Sequence, residues 1–187
     1  REPGRAAAAA GPPVRAGENV VAAATDGRVY AIDLSEGSLR WQLAPVRQVQ
    51  QEFEIEVEDI RSVHAMPGQV VVSSLTGVLI AVDPRSGDVR WRFSSPSDGS
   101  NGIGLSATAD MVFAPFASGR LGVLGASRGH LVAMLETHTA RFDWPPAIAG
   151  TSAYVTAEDG LYELRWEMCD CADGAALCPG TLSGGMR

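Results

Sequence analysis

The chain has 187 residues, of which 45% are apolar and 20% charged, and its net charge is −7. This length suits one or two domains with a buried core, and the apolar share argues against a wholly disordered chain. All 15 basic residues are arginines, and 22 acidic residues outnumber them, so a phosphate backbone would be repelled and we expect no nucleic-acid partner. No apolar stretch approaches the roughly 20 residues of a membrane-spanning helix, so we expect no membrane span in this segment.

The two ends of the chain differ in composition from the rest. Residues 1–11 lack the charged start and the apolar core of a secretory signal and are predicted to be a linker or disordered tail. Residues 167–187 are predicted to be an irregular Cys/Gly-rich tail. All three cysteines lie there, spaced C-x-C-x6-C without the paired C-x2-C units of a structural zinc site. No role is assigned to these cysteines, which are Cys169, Cys171 and Cys178.

An internal repeat is the main signal. Residues 19–43 read NVVAAATDGRVYAIDLSEGSLRWQL, and residues 69–93 read QVVVSSLTGVLIAVDPRSGDVRWRF. The two segments align without a gap and share the ending D-x-x-x-G-x-x-R-W. A third copy spans residues 111–135, in which Gly125 replaces the aspartate and Ala133 the tryptophan, and a fourth begins at Trp144. The turn glycines at 27, 77, 119 and 160 are 50, 42 and 41 residues apart, which is the size of a propeller blade.

Each copy reads as short strands separated by turns. An apolar burst leads into Asp-Gly or Thr-Gly, which favours a tight hairpin, and a second strand ends at an aspartate that suits a turn. The sequence therefore predicts an all-β chain, a β-propeller of four-stranded blades at about 12–49, 60–98, 103–140 and 144–166, the last incomplete. Since unpaired sheet edges invite association, we expect a part of a larger propeller, or one completed by another copy or chain through its open sheet edges.

This pattern resembles the repeat of the pyrroloquinoline-quinone (PQQ) binding-like β-propellers. In that family the tryptophan of one blade packs against the turn of its neighbour, so the resemblance implies that Trp41 and Trp91 are docking residues and that Gly37 and Gly87 are their platforms. Gly129 keeps a platform in a copy whose tryptophan is lost. The repeat-motif residues are Gly27, Asp33, Gly37, Trp41, Gly77, Asp83, Gly87, Trp91, Gly119, Gly129 and Gly160.

The resemblance leaves several functions open, because the family holds quinoprotein dehydrogenases as well as cofactor-free scaffolds and sensors. Its enzymes use a calcium site, a catalytic aspartate and an adjacent Cys-Cys pair, and this chain has no Cys-Cys and only two asparagines, Asn19 and Asn101. We therefore expect a non-catalytic scaffold or sensor that binds a protein or ligand, with no catalytic, cofactor or metal residues. The alternatives are a fragment of a PQQ- and calcium-dependent alcohol dehydrogenase and the extracellular or luminal sensor domain of a receptor kinase. Family resemblance favours an exported protein.

Two further features are interpreted from the residues alone. His64, His130 and His138 are scattered over different repeats without ligand spacing and are interpreted as isolated histidines. Residues 51–59, QEFEIEVED, alternate strictly, which predicts an outer edge strand protected by charge. The alternative interpretation is an acidic docking strip for a basic partner or an added β-strand. Its residues would be Glu52, Glu54, Glu56 and Glu58.

Overall fold

The computed structural model shows an all-β chain that divides into two compact units, residues 1–102 and 103–187. The structure describes residues 8–44, 46–48, 55–57, 60–95, 104–116, 119–136, 142, 144–157, 160–166, 168–169, 176–177 and 183–186. Within these ranges, no helix has the length and apolar character needed to cross a membrane.

The first unit holds two four-stranded antiparallel sheets, here called blade 1 and blade 2, and a two-stranded ribbon. Blade 1 has the order β1-β2-β3-β4, blade 2 the order β7-β8-β9-β10, and the ribbon pairs β5 with β6. The strands are β1 Val14–Ala16, β2 Asn19–Ala23, β3 Val29–Asp33, β4 Leu39–Leu43, β5 Val46–Gln48, β6 Ile55–Val57, β7 Ile60–Met66, β8 Gln69–Ser74, β9 Val78–Val82 and β10 Val89–Ser94.

Blade geometry follows from the repeated turns. Gly27 and Gly77 have φ angles of 78° and 81°, which an L-residue with a side chain adopts at a cost, and they close the central hairpin of each blade. A register shift lies between β3 and β4 and again between β9 and β10, and it leaves Trp41 opposite Ala31 and Trp91 opposite Ala81. The two tryptophans therefore occupy equivalent positions on their sheets.

The core of the first unit lies between its two blades. One face of blade 1, which includes Val21, Val29 and Trp41, packs against a face of blade 2 that includes Val70 and Ile80. Every residue of β8 and β9 is buried, whereas the residues of β2 and β3 alternate between buried and more exposed. The central strands of blade 2 are thus buried on both faces, and the alternation leaves the second face of blade 1 more exposed.

The second unit repeats the arrangement with blade 3 and blade 4 and a short hairpin. Blade 3 has the order β11-β12-β13-β14, blade 4 the order β15-β16-β17-β20, and the hairpin pairs β18 with β19. The strands are β11 Ser106–Ala107, β12 Met111–Phe116, β13 Arg120–Gly125, β14 Leu131–Glu136, β15 Ala147–Ala149, β16 Ser152–Ala157, β17 Gly160–Arg165, β18 Met168–Cys169, β19 Ala176–Leu177 and β20 Ser183–Met186.

The predicted fold class, a propeller of four-stranded PQQ-like blades, is confirmed, but the fourth blade differs in one respect. The sequence predicted no final strand for it. The structure supplies that strand from Ser183–Met186, inside the segment predicted to be an irregular tail, and pairs it with Gly160–Arg165. Backbone pairing needs no side-chain pattern, so a strand as plain as Ser-Gly-Gly-Met completes the sheet.

The described part of the acidic segment, Ile55–Val57, does not form an edge strand of a blade. It pairs with Val46–Gln48 in the separate ribbon between β4 and β7. Glu56 lies on this strand, and Glu52, Glu54 and Glu58 lie outside the described residues. The predicted row of glutamates therefore stays a prediction.

Candidate functional site

The aspartates of the first two repeats close the turn between the last two strands of their blades. The Asp33 carboxylate accepts hydrogen bonds from the backbone N–H groups of Ser35 and Glu36 at 2.8 and 2.9 Å, from the Ser35 hydroxyl at 2.6 Å, and from the Arg40 guanidinium. The Gly37 N–H then donates to the Asp33 carbonyl at 2.9 Å. This carboxylate is fully engaged in its own turn, which favours a structural role.

Asp83 repeats the arrangement in blade 2. Its carboxylate accepts from the Arg90 guanidinium at 2.5 Å and from the Arg85 N–H at 2.8 Å. Hydrogen bonds, first from the Ser35 hydroxyl and then from Arg40, hold the pKa of Asp33 far below its usual range, and the Arg90 guanidinium lowers the pKa of Asp83. Both groups are therefore ionised near neutral pH and are poor general acids or bases.

The third repeat keeps the same turn with different side chains. The Gly129 N–H donates to the Gly125 carbonyl at 2.8 Å, as in the first two copies. A Cβ at Gly125 would lie 2.2 Å from Cε1 of His130, so the imidazole takes the space of the missing aspartate side chain. His130 is thus assigned to this turn, and His64 is half-buried on β7 with a pKa lowered by burial. His138 lies outside the described residues.

The joint between blades 1 and 2 is built by Trp41 and the turn of blade 2. The indole lies flat on Gly87, where a Cβ would come within 2.8 Å of the ring atom Cδ2. The Trp41 Nε1–H donates to the Pro84 carbonyl at 3.0 Å, and the Asn19 side chain donates to the same oxygen at 2.7 Å. Gly87 has a φ of 78°, so it supplies both the turn and the flat surface.

The other repeat-motif residues hold equivalent positions within their own blades. Trp91 is buried opposite Ala81, in the position that Trp41 has opposite Ala31. Gly119 has a positive φ directly before Arg120, the first residue of β13, and Gly160 is the first residue of β17. The motif therefore marks turns and the inter-blade joint, which is what a repeated structural role requires.

In the second unit, a different indole fills the space between the blades. The third repeat has Ala133 at the tryptophan position, where it lies opposite Val123. Trp166 of blade 4 is buried instead, and its ring centroid lies 5.0 Å from that of Phe113 on blade 3. The backbone N–H of Trp166 donates to Thr151, as that of Leu34 does to Glu18, so its position corresponds to Leu34. The aromatic side chain thus comes from the following blade.

A cleft of about 310 Å³ lies beside the joint of the first unit. The turn between β1 and β2 forms one wall with Glu18 and Asn19, Arg40 lies beside it, and Pro84 and Arg85 form the other wall. Arg40 is paired with Asp33, whereas the guanidinium of Arg85 has no hydrogen bond or ion pair with any described residue. Sequence reasoning missed this cleft because Glu18 and Arg85 differ from their counterparts in the other repeats.

A second cavity, of about 240 Å³, lies between the blades of the second unit. Leu121 and Leu135 of blade 3 face Val155 and Leu164 of blade 4 across it, and it is mainly apolar. Across the described part of the chain, no three His, Cys, Asp or Glu side chains lie close enough together to hold a metal ion.

A family model described as outer membrane protein assembly factor BamB matches residues 2–145. The chain belongs to this family. This agrees with the resemblance to PQQ-like propellers, since the turns of the first three repeats and the tryptophan joint lie within the matched residues. No curated protein matches the chain.

Solved structures of low identity share the fold. BamB from Moraxella catarrhalis is 18% identical with a TM-score of 0.59, and the match covers 80% of this chain but 46% of that one. The computationally designed Ika4 protein is 15% identical with a TM-score of 0.69, over 87% of this chain and 94% of that one. A europium-containing methanol dehydrogenase is 19% identical with a TM-score of 0.55, over 68% and 26%. The chain thus spans less than half of the BamB structure.

Proposed function

We propose that this chain is a non-catalytic scaffold that binds a protein partner at the turn rim of its first unit. The turn rim is the edge of the blades that carries Glu18, Arg40 and Arg85. The observation that supports this proposal is that repeated and non-repeated turn residues have different roles. The repeated side chains of Asp33, Asp83 and Trp41 form hydrogen bonds within the turns and the inter-blade joint. Arg85, which is not repeated, is exposed at the cleft without a partner among the described residues. Scaffolds of repeats commonly bind through such variable positions on a rigid frame.

Differences between the turn tips support this proposal. The second and third residues after the aspartate are Ser35 and Glu36 in blade 1 but Arg85 and Ser86 in blade 2. The backbone of both turns is the same, so only the chemistry offered to a partner changes. Because the Arg85 guanidinium lines the cleft without a partner among the described residues, the cleft suits a protein segment that places an acidic side chain at Arg85.

Photocrosslinking tests the proposed contact. A photoreactive amino acid is placed at position 18, which is exposed and lines the cleft, and, as a control, at position 28, at the opposite end of blade 1, where Arg28 is half-exposed. We expect one discrete crosslinked protein in the source cells from position 18 and none from position 28, and the crosslink should disappear when Arg85 is replaced by alanine. Equal products from both positions would contradict a specific rim contact.

The enzymatic alternative has its own measurement. The purified chain is mixed with PQQ and Ca²⁺, and retained chromophore and dye-linked alcohol oxidation are recorded. A scaffold should retain no chromophore after gel filtration. A tightly held quinone with alcohol oxidation would replace this proposal with the dehydrogenase one.

The acidic segment supplies a second proposed contact. The described strand Ile55–Val57 pairs in the ribbon and belongs to neither four-stranded blade, so its charge can be changed without altering a blade. Replacing Glu52, Glu54, Glu56 and Glu58 by glutamine takes the net charge from −7 to −3 (−7 + 4) and should abolish capture of a basic partner. If the variant still captured the basic partner, the glutamates would not be a binding site and would serve only solubility.

A further inference from the structure

The cavity in the second unit lies beside the indole that fills the space between blades 3 and 4. Val123 of blade 3 lies opposite Phe113 on one side and opposite the alanine that replaces the repeat's tryptophan on the other. Trp166 packs against Phe113 in this row. The next row on the same face is Leu121 opposite Leu135, about 7 Å along the strands, and both residues line the cavity. The indole of blade 4 therefore fills the row that has lost its tryptophan, and the next row stays open.

Blade 4 closes the inner end of the cavity with apolar side chains. Val155 and Leu164 are buried and line the cavity, and Phe142 is buried in the same cluster. Gly184 pairs with Leu164 on the outer strand and contributes no side chain to fill the space. The inner walls thus consist of aliphatic and aromatic groups, so a ligand that buries apolar surface there gains free energy by leaving water.

The entrance to the cavity carries a hydrogen-bond acceptor. Leu135 and Tyr162 are half-buried and Glu136 is exposed, so the cavity opens on the side that these three residues line. The Arg120 Nε lies 3.1 Å from Glu136 Oε1, and Glu136 Oε2 has no partner among the described residues. Because Arg120 balances the charge of Glu136, the entrance favours an uncharged ligand that donates a hydrogen bond.

We propose that this cavity binds a monocyclic phenol, a small uncharged ligand with one aromatic ring and one hydroxyl group. Its volume of about 240 Å³ exceeds the roughly 150 Å³ of a cavity that takes benzene and is smaller than sites for drug-sized ligands, so one ring with a short alkyl group fits. The ring would pack beside the rings of Phe142 and Tyr162, and the hydroxyl would donate to Glu136. No residue of the cleft at Arg85 lines this cavity, so the site is independent of the protein contact proposed above.

The test compares two isomeric probes on the intact chain. The isomers para-ethylphenol and para-methylanisole contain the same atoms, but only the phenol donates a hydrogen bond. Methyl NMR spectra locate the site, because an aromatic ring in the cavity shifts the methyl resonances of Leu121 and Val155, which line it. We expect saturable shifts with both probes and about tenfold tighter binding of the phenol, since a hydrogen bond to a charged group contributes at least this much. Equal affinities, or no saturable shift with either probe, would overturn the proposal.

Variants of the entrance and of the cavity wall separate the two parts of the proposal. Glu136→Ala should weaken phenol binding about tenfold and leave anisole binding unchanged, whereas Glu36→Ala, at an exposed glutamate of the first unit, is the matched control and should change neither. Leu135→Phe at the half-buried entrance should abolish the shifts with both probes, and Val155→Ile, which adds one methylene to the wall, should weaken both. Binding that survives both filling variants, equal losses for the two probes in Glu136→Ala, or a loss in Glu36→Ala would each overturn the proposal.

Discussion

Gly87→Ala probes the joint between blades 1 and 2 by a single methyl group. Gly87 has a φ of 78°, and its Cβ would lie 2.8 Å from Cδ2 of Trp41. An alanine in left-handed backbone costs about 1–2 kcal/mol, and forcing a methyl group into a packed contact costs about 1–3 kcal/mol more. We therefore expect the free energy of unfolding of the first unit to fall by about 2–5 kcal/mol.

Gly37→Ala is the control, because Gly37 lies in the same turn with a φ of 67° but has no atom of a described residue within 4 Å of its Cβ. It should lose only the backbone part, about 1–2 kcal/mol. Hydrogen exchange of the buried amides of β8 and β9, followed in increasing denaturant, measures both variants. The difference of about 1–3 kcal/mol corresponds to an exchange ratio of roughly 5- to 150-fold. Equal losses in the two variants would refute the stacking of Trp41 on Gly87 as a source of stability.

Three further predictions concern titration and aromatic packing. The folded-state pKa of Asp33 is lowered, so the contribution of Asp33 to stability is present above its unfolded pKa near 3.9 and is lost as the pH falls below that value. Asp33→Asn should therefore flatten the acid side of a curve of unfolding free energy against pH, and an unchanged curve would contradict this. Burial lowers the pKa of His64, so stability should decline as the pH falls through about 6.5, and His64→Gln should remove that decline in urea titrations. Trp166→Ala should cost the second unit about 3–5 kcal/mol, and a double-mutant cycle with Phe113→Ala should give a coupling of about 0.5–1.5 kcal/mol; additive losses would show that the two rings do not interact.

Much of the first unit could be predicted because both of its repeats contain the turn glycines, the aspartate and the tryptophan of the motif. Strands β4 and β9 coincide with the predicted segments 39–43 and 78–82. Turn chemistry set their ends, since glycine with a positive φ and an aspartate that bonds its own backbone leave few alternatives. The resemblance also implied that an indole packs on a neighbouring turn, and the structure places Trp41 on Gly87.

The third and fourth repeats were less predictable because one side chain replaces another through space. His130 fills the space of a missing aspartate at Gly125, five residues earlier in the chain. Trp166 reaches Phe113 from the following blade, where the pattern had placed a tryptophan on the third blade itself. In both cases another side chain fills the same space from a different position in the sequence. An alignment of the repeats therefore shows only that the aspartate and the tryptophan are missing.

The cleft could not be predicted for a related reason. Its open groups, Glu18 and Arg85, come from turns that are far apart in sequence and differ from repeat to repeat. Only the joint between the blades brings these turns together. The available signal in the sequence was that otherwise matching repeats differ in charge at these positions.

The late return of Ser183–Met186 to the outer edge of blade 4 has a practical consequence. Seventeen residues (182 − 165) separate it from Gly160–Arg165, the strand that it covers, so this edge stays bare until residues 183–186 have been synthesised. Shortening the chain by five residues would leave that strand as a template for intermolecular pairing and fibrous precipitation. A drop in soluble yield when residues 183–187 are removed would be the first sign that this pairing has been lost.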